Sequence, residues 1–338
     1  MRKLKKRKRL IYITLFVLVI SLSVCYAAFN TNINLQAKGN IKITAIQILK
    51  KNIVSSGDGL YKDSKSNRYV FKGANPNNYI KLGTDLYRII SVEEDNTLKV
   101  MKKESLGTIA FDTEGTRYSS GDYCSSTKGC KVWSSKSTTL NANEVNISSA
   151  KIDLNDVDYA LPDKEASLNI YLNNEWYELL DNDVKNLIVT HIFNTGLLYY
   201  YEMDINETIK QNVAYKWRGK IGLISAYEYI MANSNTECNN MNANTYDANK
   251  YGVCKTTNFI YNITSSAPAW TISPFSTSVD DRGPEHVMYI NPLGAIGSYG
   301  ASSNQSHTVF PVFYINGKIN LTGDGTESSP YEPVLEKA

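Results

Sequence analysis

The sequence predicts an α+β fold in which short antiparallel strands precede and follow a helical middle segment. Three observations support this prediction. Short strand-like runs occupy residues 69–102, apolar residues recur at three-and-four spacing within residues 165–193, and strand patterns return after residue 268. Strands and helices that are segregated along the chain are typical of α+β proteins, whereas a doubly wound parallel sheet requires regular alternation of the two.

The chain begins with a cationic block that is followed by a long uncharged segment. Seven Lys and Arg residues lie between Arg2 and Arg9, and residues 10–29 contain no charged residue. A helix of about 20 apolar residues spans a bilayer, and flanking positive charge stays on the cytoplasmic side. We therefore expect residues 1–29 to anchor the chain in the cell membrane through residues 10–29, with a cytoplasmic N-terminus and an extracellular C-terminal domain.

Two alternatives to an uncleaved anchor stay open. The exit Cys25-Tyr26-Ala27 before Ala28 is compatible with a cleaved signal, which would release a secreted protein. The residues that precede and include Cys25 are similar to a lipoprotein box, although Val24 stands where a small residue is expected. The length of the apolar run favours the anchor, because signal cores span about 7 to 15 residues.

The charge of the exported part differs from that of the whole chain. The first acidic residue is Asp58, so all 33 Asp and Glu lie outside the cell, together with 29 of the 36 Lys and Arg. The exported part is therefore slightly acidic, with a net charge near −4. Nucleic acid is not an expected partner, because binding to phosphates requires a basic surface.

Residues 30–57 predict a β-hairpin stalk and a hinge that precede the main domain. Apolar residues alternate with polar ones around a Lys-Gly-Asn turn, at Ile33, Leu35, Ile41 and Ile43. This alternation is typical of a hairpin. The Ser- and Gly-rich residues 55–59 predict the boundary, so the main extracellular domain is expected to span residues 58–338.

The main domain opens with strands and continues with about three helices. Strands are predicted over residues 69–82, 86–92 and 97–102, and helices over 165–180 and 181–193. His191 lies on the apolar face of the second helix and is interpreted as a core residue, not a ligand. Ser225 and Glu228 form a capping box, which predicts a third helix over residues 226–232 after a buried strand at 220–224. Further strands are predicted over residues 269–272, 286–291 and 308–315.

Four of the five cysteines lie in the exported part, where disulfides form. Nearest-neighbour pairing of Cys124 with Cys130 and of Cys238 with Cys254 closes two short polar loops. A metal site is the alternative. The spacing lacks a Cys-x-x-Cys knuckle and no histidine is near, so we expect two disulfides and no metal site.

Sequence motifs of known catalytic and cofactor sites are absent. The chain contains no Gly-x-Ser-x-Gly, no His-Glu-x-x-His, no phosphate-binding glycine loop and no EF-hand series. Asp324 and Glu327 lie in a Gly-rich turn that invites a calcium interpretation, but calcium requires six or more oxygen ligands. We expect a solvated turn there, no catalytic residue, no metal and no cofactor.

Several segments together resemble a large family of uncharacterised exported surface proteins from Gram-positive bacteria. They are residues 69–82, 86–107, 168–180, 221–230, 270–274 and 311–331, and the resemblance covers residues 60–331. It implies a fold similar to C-type-lectin-like and formylglycine-generating-enzyme-like domains. Two positions depart from the family pattern: Phe310 stands where an arginine usually precedes the closing Pro-Val, and Tyr87 stands where a tryptophan is common.

Two polar segments are the candidate ligand-binding surfaces. In lectin-like folds the ligand site is presented by loops of the region that follows the Trp270 strand, and here that segment contains Asp280, Asp281, Arg282 and Glu285. The second segment, residues 294–307, is rich in Gly, Ser and Asn and contains Tyr299. Such a composition suits adaptable hydrogen bonding and stacking on sugars or peptides.

These observations predict a surface binding or adhesion module without catalysis, which recognises an envelope or host glycan or protein. Two other classes stay open. An enzyme acting on the cell envelope would require a carboxylate pair or a Cys/His pair that converges in a cleft. A structural surface or fibre subunit would pair the hairpin of residues 31–46 between chains.

Overall fold

A computed structural model describes most of the main domain. The described residues are 44–63, 66–113, 124–125, 129–130, 133, 165–195, 198–199, 216–239, 252–276, 286–301 and 306–334. Residues 43–338 form one compact unit. The described part is a mixed α+β structure of mostly antiparallel strands with short helices, as the sequence predicted.

The described chain begins with a short helix that packs on the main body. Helix α1 (Ala45–Lys50) buries Ala45 and Leu49, and the Ala45 amide donates to the Ile319 carbonyl at 2.7 Å. Residues 44–57 were predicted to belong to the stalk and hinge, and their described structure instead includes a helix joined to the core. The remainder of the predicted hairpin lies outside the described residues.

The first sheet has eight strands and holds the early part of the chain beside its closing strand. Its strands are β1 (Gly59–Lys62), β2 (Tyr69–Lys72), β3 (Tyr79–Leu82), β4 (Asp85–Val92), β5 (Thr97–Lys102), β9 (Ile188–Val189), β13 (Ile221–Gly222) and β18 (Val312–Asn316). Their order across the sheet is β1-β2-β4-β5-β18-β13, with β3 beside β4 and β9 beside β18. All its pairs are antiparallel.

The second sheet has six strands in the order β16-β15-β14-β17-β6, with β11 beside β14. Its pairs are antiparallel except β11–β14 and β14–β17, which are parallel. The bounds are β6 (Thr108–Ile109), β11 (Leu198–Tyr199), β14 (Ala269–Ser276), β15 (His286–Ile290), β16 (Ile296–Gly300) and β17 (His307–Thr308). Three two-stranded pairs complete the described strands: β7 (Cys124–Ser125) with β8 (Gly129–Cys130), β10 (His191–Asn194) with β12 (Lys216–Gly219), and β19 (Leu321–Thr322) with β20 (Glu332–Pro333).

The helices are shorter and more numerous than the sequence predicted. The described ones after α1 are α2 (Ser167–Ile170), which continues through a π-helical stretch (Tyr171–Trp176) into α3 (Tyr177–Leu179), then α4 (Asn182–Leu187), α5 (Ala226–Met231), α6 (Thr236–Asn239), α7 (Gly252–Thr256) and α8 (Phe259–Thr264). The predicted strand at 69–82 is likewise two strands. Asn75-Pro76-Asn77 separates them, since proline cannot donate to a strand ladder.

The predicted helix over residues 181–193 is wrong in its second half. Helix α4 ends at Leu187, and the chain continues as β9 and β10. Ile188 and Val189 pair with β18, and Ile192 lies opposite Arg218 of β12. These β-branched residues suit a strand as well as a helix, so the available partner strands decided the structure.

A buried ion pair ties helix α5 to the first sheet. The Ser225 hydroxyl accepts from the Glu228 amide at 3.1 Å, and Glu228 Oε2 accepts from the Ser225 amide at 2.9 Å, which confirms the predicted capping box. Glu228 Oε1 also accepts from Lys99 Nζ at 2.5 Å. Burial alone would raise the pKa of Glu228, but the Lys99 ammonium and the Ser225 amide outweigh burial and lower it.

One hydrophobic core contains residues of both sheets, and a chain of aromatic contacts crosses it. Adjacent ring centroids lie 4.9–5.8 Å apart along the series Trp270, Phe111, Trp133, Trp217, Phe193 and Tyr314. His191 stacks on Tyr314 at 3.9 Å, and its Nε2 lies 3.1 Å from Asp95 Oδ2. His191 was predicted to be a core residue on a helix, but it lies on a strand, its side chain is 20% exposed, and it contacts both Tyr314 and Asp95.

One predicted disulfide is present and the other remains a prediction. Cys238 and Cys254 are bonded, with Cα atoms 5.6 Å apart, and the bond joins α6 to α7. Cys124 lies directly opposite Cys130 in the β7–β8 pair. The side chains of this second pair are outside the described structure, so its bond stays a prediction.

The described helices are all short. Within the ranges described above, none is long and apolar enough to cross a membrane. Residues 10–29, which carry the predicted anchor, lie outside those ranges.

Candidate functional site

The structure describes only one of the five residues predicted to bind a ligand. Tyr299 lies on β16, whereas Asp280, Asp281, Arg282 and Glu285 belong to residues 277–285, which are outside the described structure. Those four residues stand in the connection between the paired strands β14 and β15. Their role in binding stays a prediction.

Tyr299 belongs to a cluster of four rings, which we call the aromatic face. Its members are Trp270 on β14, Tyr289 on β15, Tyr299 on β16 and His307 on β17. His307 lies at the centre, with its ring centroid 4.0 Å from Trp270, 4.6 Å from Tyr289 and 5.3 Å from Tyr299. The Tyr289 and Tyr299 rings meet edge to face at 6.0 Å.

Strand register brings these rings together. Trp270 lies opposite Tyr289, and Tyr289 lies opposite Gly297. A Cβ atom at Gly297 would lie 2.6 Å from the Tyr289 ring, so glycine leaves the space that this ring occupies. Tyr299 is two residues further along the same strand and therefore faces the same side of the sheet as Gly297.

Most of the aromatic face is buried, and Tyr299 is its exposed end. Trp270 and His307 are 2% and 7% exposed, whereas Tyr299 is 42% exposed. Trp270 Nε1 donates to the Ile109 carbonyl at 2.9 Å, which holds the indole in place. Strand β16 lies at the edge of its sheet among the described strands.

The electrostatics of the aromatic face are those of neutral rings. Burial lowers the pKa of His307, so its imidazole is uncharged at neutral pH. His307 Nε2 is buried without a hydrogen-bond partner among the described residues. The Tyr299 ring, packed against Tyr289 and His307, offers a stacking surface and a hydroxyl, which suits a sugar or a peptide.

Sequence reasoning found Tyr299 and treated Trp270 as core, but it missed Tyr289 and His307. The available signal was the hairpin geometry, because residues opposite each other on antiparallel strands have neighbouring side chains. His307 had no such signal. It reaches Trp270 through a parallel pairing of Ala269 with Thr308 across 39 residues of chain.

The described residues do not present a metal centre. Within the described ranges, no three His, Cys, Asp or Glu side chains lie close enough to hold a metal ion. In the turn considered for calcium, Asp324 Oδ1 accepts from the Thr326 amide at 3.0 Å, and Glu327 pairs with Lys103. The carboxylate of Glu228 is buried against Lys99 and does not open into a cleft.

No family model, curated protein or solved structure matches this chain.

Proposed function

We propose that this chain is an exported, membrane-anchored binding module that recognises a glycan or protein of the cell envelope or of a host surface. The observation that carries the proposal is the exposed ring of Tyr299, supported from behind by Tyr289 and His307. The cationic block and the uncharged residues 10–29 support export and anchoring.

The support behind Tyr299 favours binding over a purely structural role for this ring. Aromatic residues on rigid strands contribute a large contact area and lose little conformational entropy when a ligand binds. The ring has no charged partner among the described residues, which favours a neutral ligand surface such as the apolar face of a sugar ring. We therefore propose stacking on a glycan as the first function to test.

The finer fold assignment also belongs to the proposal. We propose a C-type-lectin-like arrangement in which residues 277–285 extend the ligand site from the aromatic face. His286 and Gly300 lie opposite each other at one end of the second sheet. Residues 277–285 directly precede His286 and residues 302–305 follow shortly after Gly300, so both segments adjoin that end in sequence. The resemblance to exported surface proteins supports the same arrangement.

The decisive experiment compares two substitutions of Tyr299 on an array of envelope glycans and host glycoproteins. Tyr299→Ala removes the ring and should reduce retention on the recognised ligand about fivefold or more, since stacking of a planar ring on an aromatic side chain contributes about 1–3 kcal/mol. Tyr299→Phe keeps the ring and should retain most of the binding. Equal binding by Tyr299→Ala and the unchanged chain would disprove a role for the aromatic face.

A double substitution tests the predicted loop in the same assay. Asp281→Ala with Arg282→Ala should abolish capture while changing the free energy of unfolding by less than about 0.5 kcal/mol, as for most exposed positions. If this variant captures the ligand as well as the unchanged chain does, the ligand site does not include that loop.

A further inference from the structure

A second concave site lies where the first and last parts of the described chain meet. A cleft of about 270 Å³ is lined by residues within the segments 49–60 and 71–77, together with Asp324 and Tyr331 of the closing segment. We call it the rimmed cleft. Its lining residues include Leu49, Leu60, Phe71 and Tyr331, which are buried, and Asn52, Asp58, Asn75, Asn77 and Asp324, which are exposed.

This arrangement places apolar side chains at the floor and amides and carboxylates at the rim. Small-molecule sites combine an apolar lining with a few polar groups that orient the ligand, and those for drug-sized ligands span roughly 300–1,000 Å³. The rimmed cleft is slightly smaller than this range. Its size therefore suits a single small polar unit, such as one sugar residue.

Tyr331 lines the cleft and provides a hydroxyl that is unpaired among the described residues. The residue is 2% exposed, and its hydroxyl makes no hydrogen bond with any residue in the described ranges. A Cβ atom at Gly325 would lie 2.4 Å from Cε2 and 2.7 Å from Cζ of the ring, so only glycine, at φ +78°, admits the hydroxyl end there. Burial and the charge of Asp324 raise the pKa of Tyr331, so the phenol stays protonated and can donate.

The two carboxylates at the rim are positioned by hydrogen bonds from neighbouring residues. Asp58 accepts from the amides of Ala74 and Asn75 at 3.0 and 2.8 Å, one to each oxygen. Asp324 accepts through Oδ1 from the Thr326 hydroxyl at 2.7 Å and the Thr326 amide at 3.0 Å, which lower its pKa. A carboxylate has about four acceptor positions, so both groups keep capacity for a ligand.

The charge of the rimmed cleft is negative. Its lining includes two Asp and no Lys or Arg, and neither carboxylate forms an ion pair with a described residue. The buried Arg88 side chain lies next to the lining, where it donates to the Asn78 side chain at 2.5 Å, to the Pro76 carbonyl at 3.1 Å and to Asn75 Oδ1 at 3.4 Å. Its single positive charge offsets only part of the charge of the two carboxylates. A ligand with a positive charge therefore fits the rim better than a neutral or anionic one.

We propose that the rimmed cleft binds a hexosamine whose amino group is free and protonated. The ammonium lies between the Asp58 and Asp324 carboxylates, the sugar hydroxyls bind the Asn amides and the Tyr331 phenol, and one face of the ring rests on the apolar floor. A lysine side chain carries the same charge, but it has no hydroxyl groups for three amides and a phenol. This site is separate from the aromatic face and does not depend on its function.

The test is a titration of the full-length chain in detergent, followed by NMR or calorimetry, with three probes up to about 10 mM, a range that covers weak binding. Glucosamine should bind, and N-acetylglucosamine, which lacks the charge, should bind at least about tenfold more weakly, because a hydrogen bond to a charged group contributes that much. Nα-acetyl-lysine amide should also bind more weakly than glucosamine.

A matched pair of substitutions ties the binding to the rimmed cleft. Asp324→Asn keeps an oxygen that accepts from Thr326 but removes the charge, so glucosamine affinity should fall about tenfold without a change in melting temperature. Asp183→Asn changes an exposed carboxylate on α4, outside the cleft, and should leave binding unchanged.

Four outcomes would overturn the proposal. The first is no saturable glucosamine binding, and the second is equal binding of glucosamine and N-acetylglucosamine. The third is equal affinity in the Asp324→Asn and Asp183→Asn variants. The fourth is binding of Nα-acetyl-lysine amide as tight as that of glucosamine, because the site would then recognise the ammonium alone.

Discussion

At the scale of single residues, Lys99 and Glu228 form an ion pair that is buried in the described core. The two side chains are 2% and 7% exposed, and Lys99 also lies 5.2 Å from the ring centroids of Phe193 and Tyr314. Removal of one partner from such a pair leaves an unpaired buried charge and costs about 3–5 kcal/mol.

We predict that Glu228→Gln lowers the free energy of unfolding by about 3 kcal/mol at neutral pH and removes part of its acid dependence. The pKa of Glu228 is lowered in the folded chain, so the carboxylate stabilises the fold above its unfolded pKa of about 4.3, and this contribution is lost as the pH falls through the folded value. Urea unfolding between neutral and acidic pH measures both effects.

The matched control is Glu178→Gln, since Glu178 pairs with Lys185 at 2.8 Å but is 68% exposed. This variant should keep nearly the stability and pH dependence of the unchanged chain, because water screens exposed pairs. If the free energy of unfolding of Glu228→Gln equals that of the unchanged chain from pH 7 downward, the buried pair does not stabilise the fold.

At the scale of elements, a disulfide between cysteines 16 positions apart in sequence joins the two short helices α6 and α7. Each helix has four or five residues, below the length at which an isolated helix is stable in water. Cys238 and Cys254 are fully packed in the core, so the bond also contributes to packing.

We predict that Cys238→Ala with Cys254→Ala lowers the free energy of unfolding by about 3 kcal/mol, the loop-closure contribution for a loop of this length. Denaturant unfolding measures this loss. Non-reducing peptide mapping of the native protein should also show Cys124 linked to Cys130, because the strand register places them opposite each other. Alkylation of both thiols in freshly isolated protein would contradict the second disulfide.

At the scale of the whole molecule, the predicted topology places everything after residue 29 outside the cell. We expect that protease added to cells with an opened wall degrades the domain, while a cytoplasmic marker protein survives. The reason is the cationic block before residues 10–29, which keeps the N-terminus in the cytoplasm. An intact chain beside a digested external marker would contradict this topology.

Sequence reasoning succeeded where the signal was local. The fold class, the strands around the Glu93–Asn96 turn, the capping box of Ser225 and Glu228, and the Cys238–Cys254 disulfide all depend on residues within a few positions or on a short spacing. Tyr299 was selected as a ligand-binding residue through the composition of its segment, and this role stays a prediction. In each case neighbouring residues carry the information, because periodicity and capping act within one or two turns of chain.

The tertiary structure alone decided the remaining features. Residues 188–193 became strands because partner strands β18 and β12 were available, although their apolar spacing also suits a helix. His307 joined the aromatic face through the packing of β17 on β14. The rimmed cleft combines residues 49–60 with 324–331, which are more than 260 positions apart. Such contacts depend on which surfaces pack together during folding, and no local pattern encodes that choice.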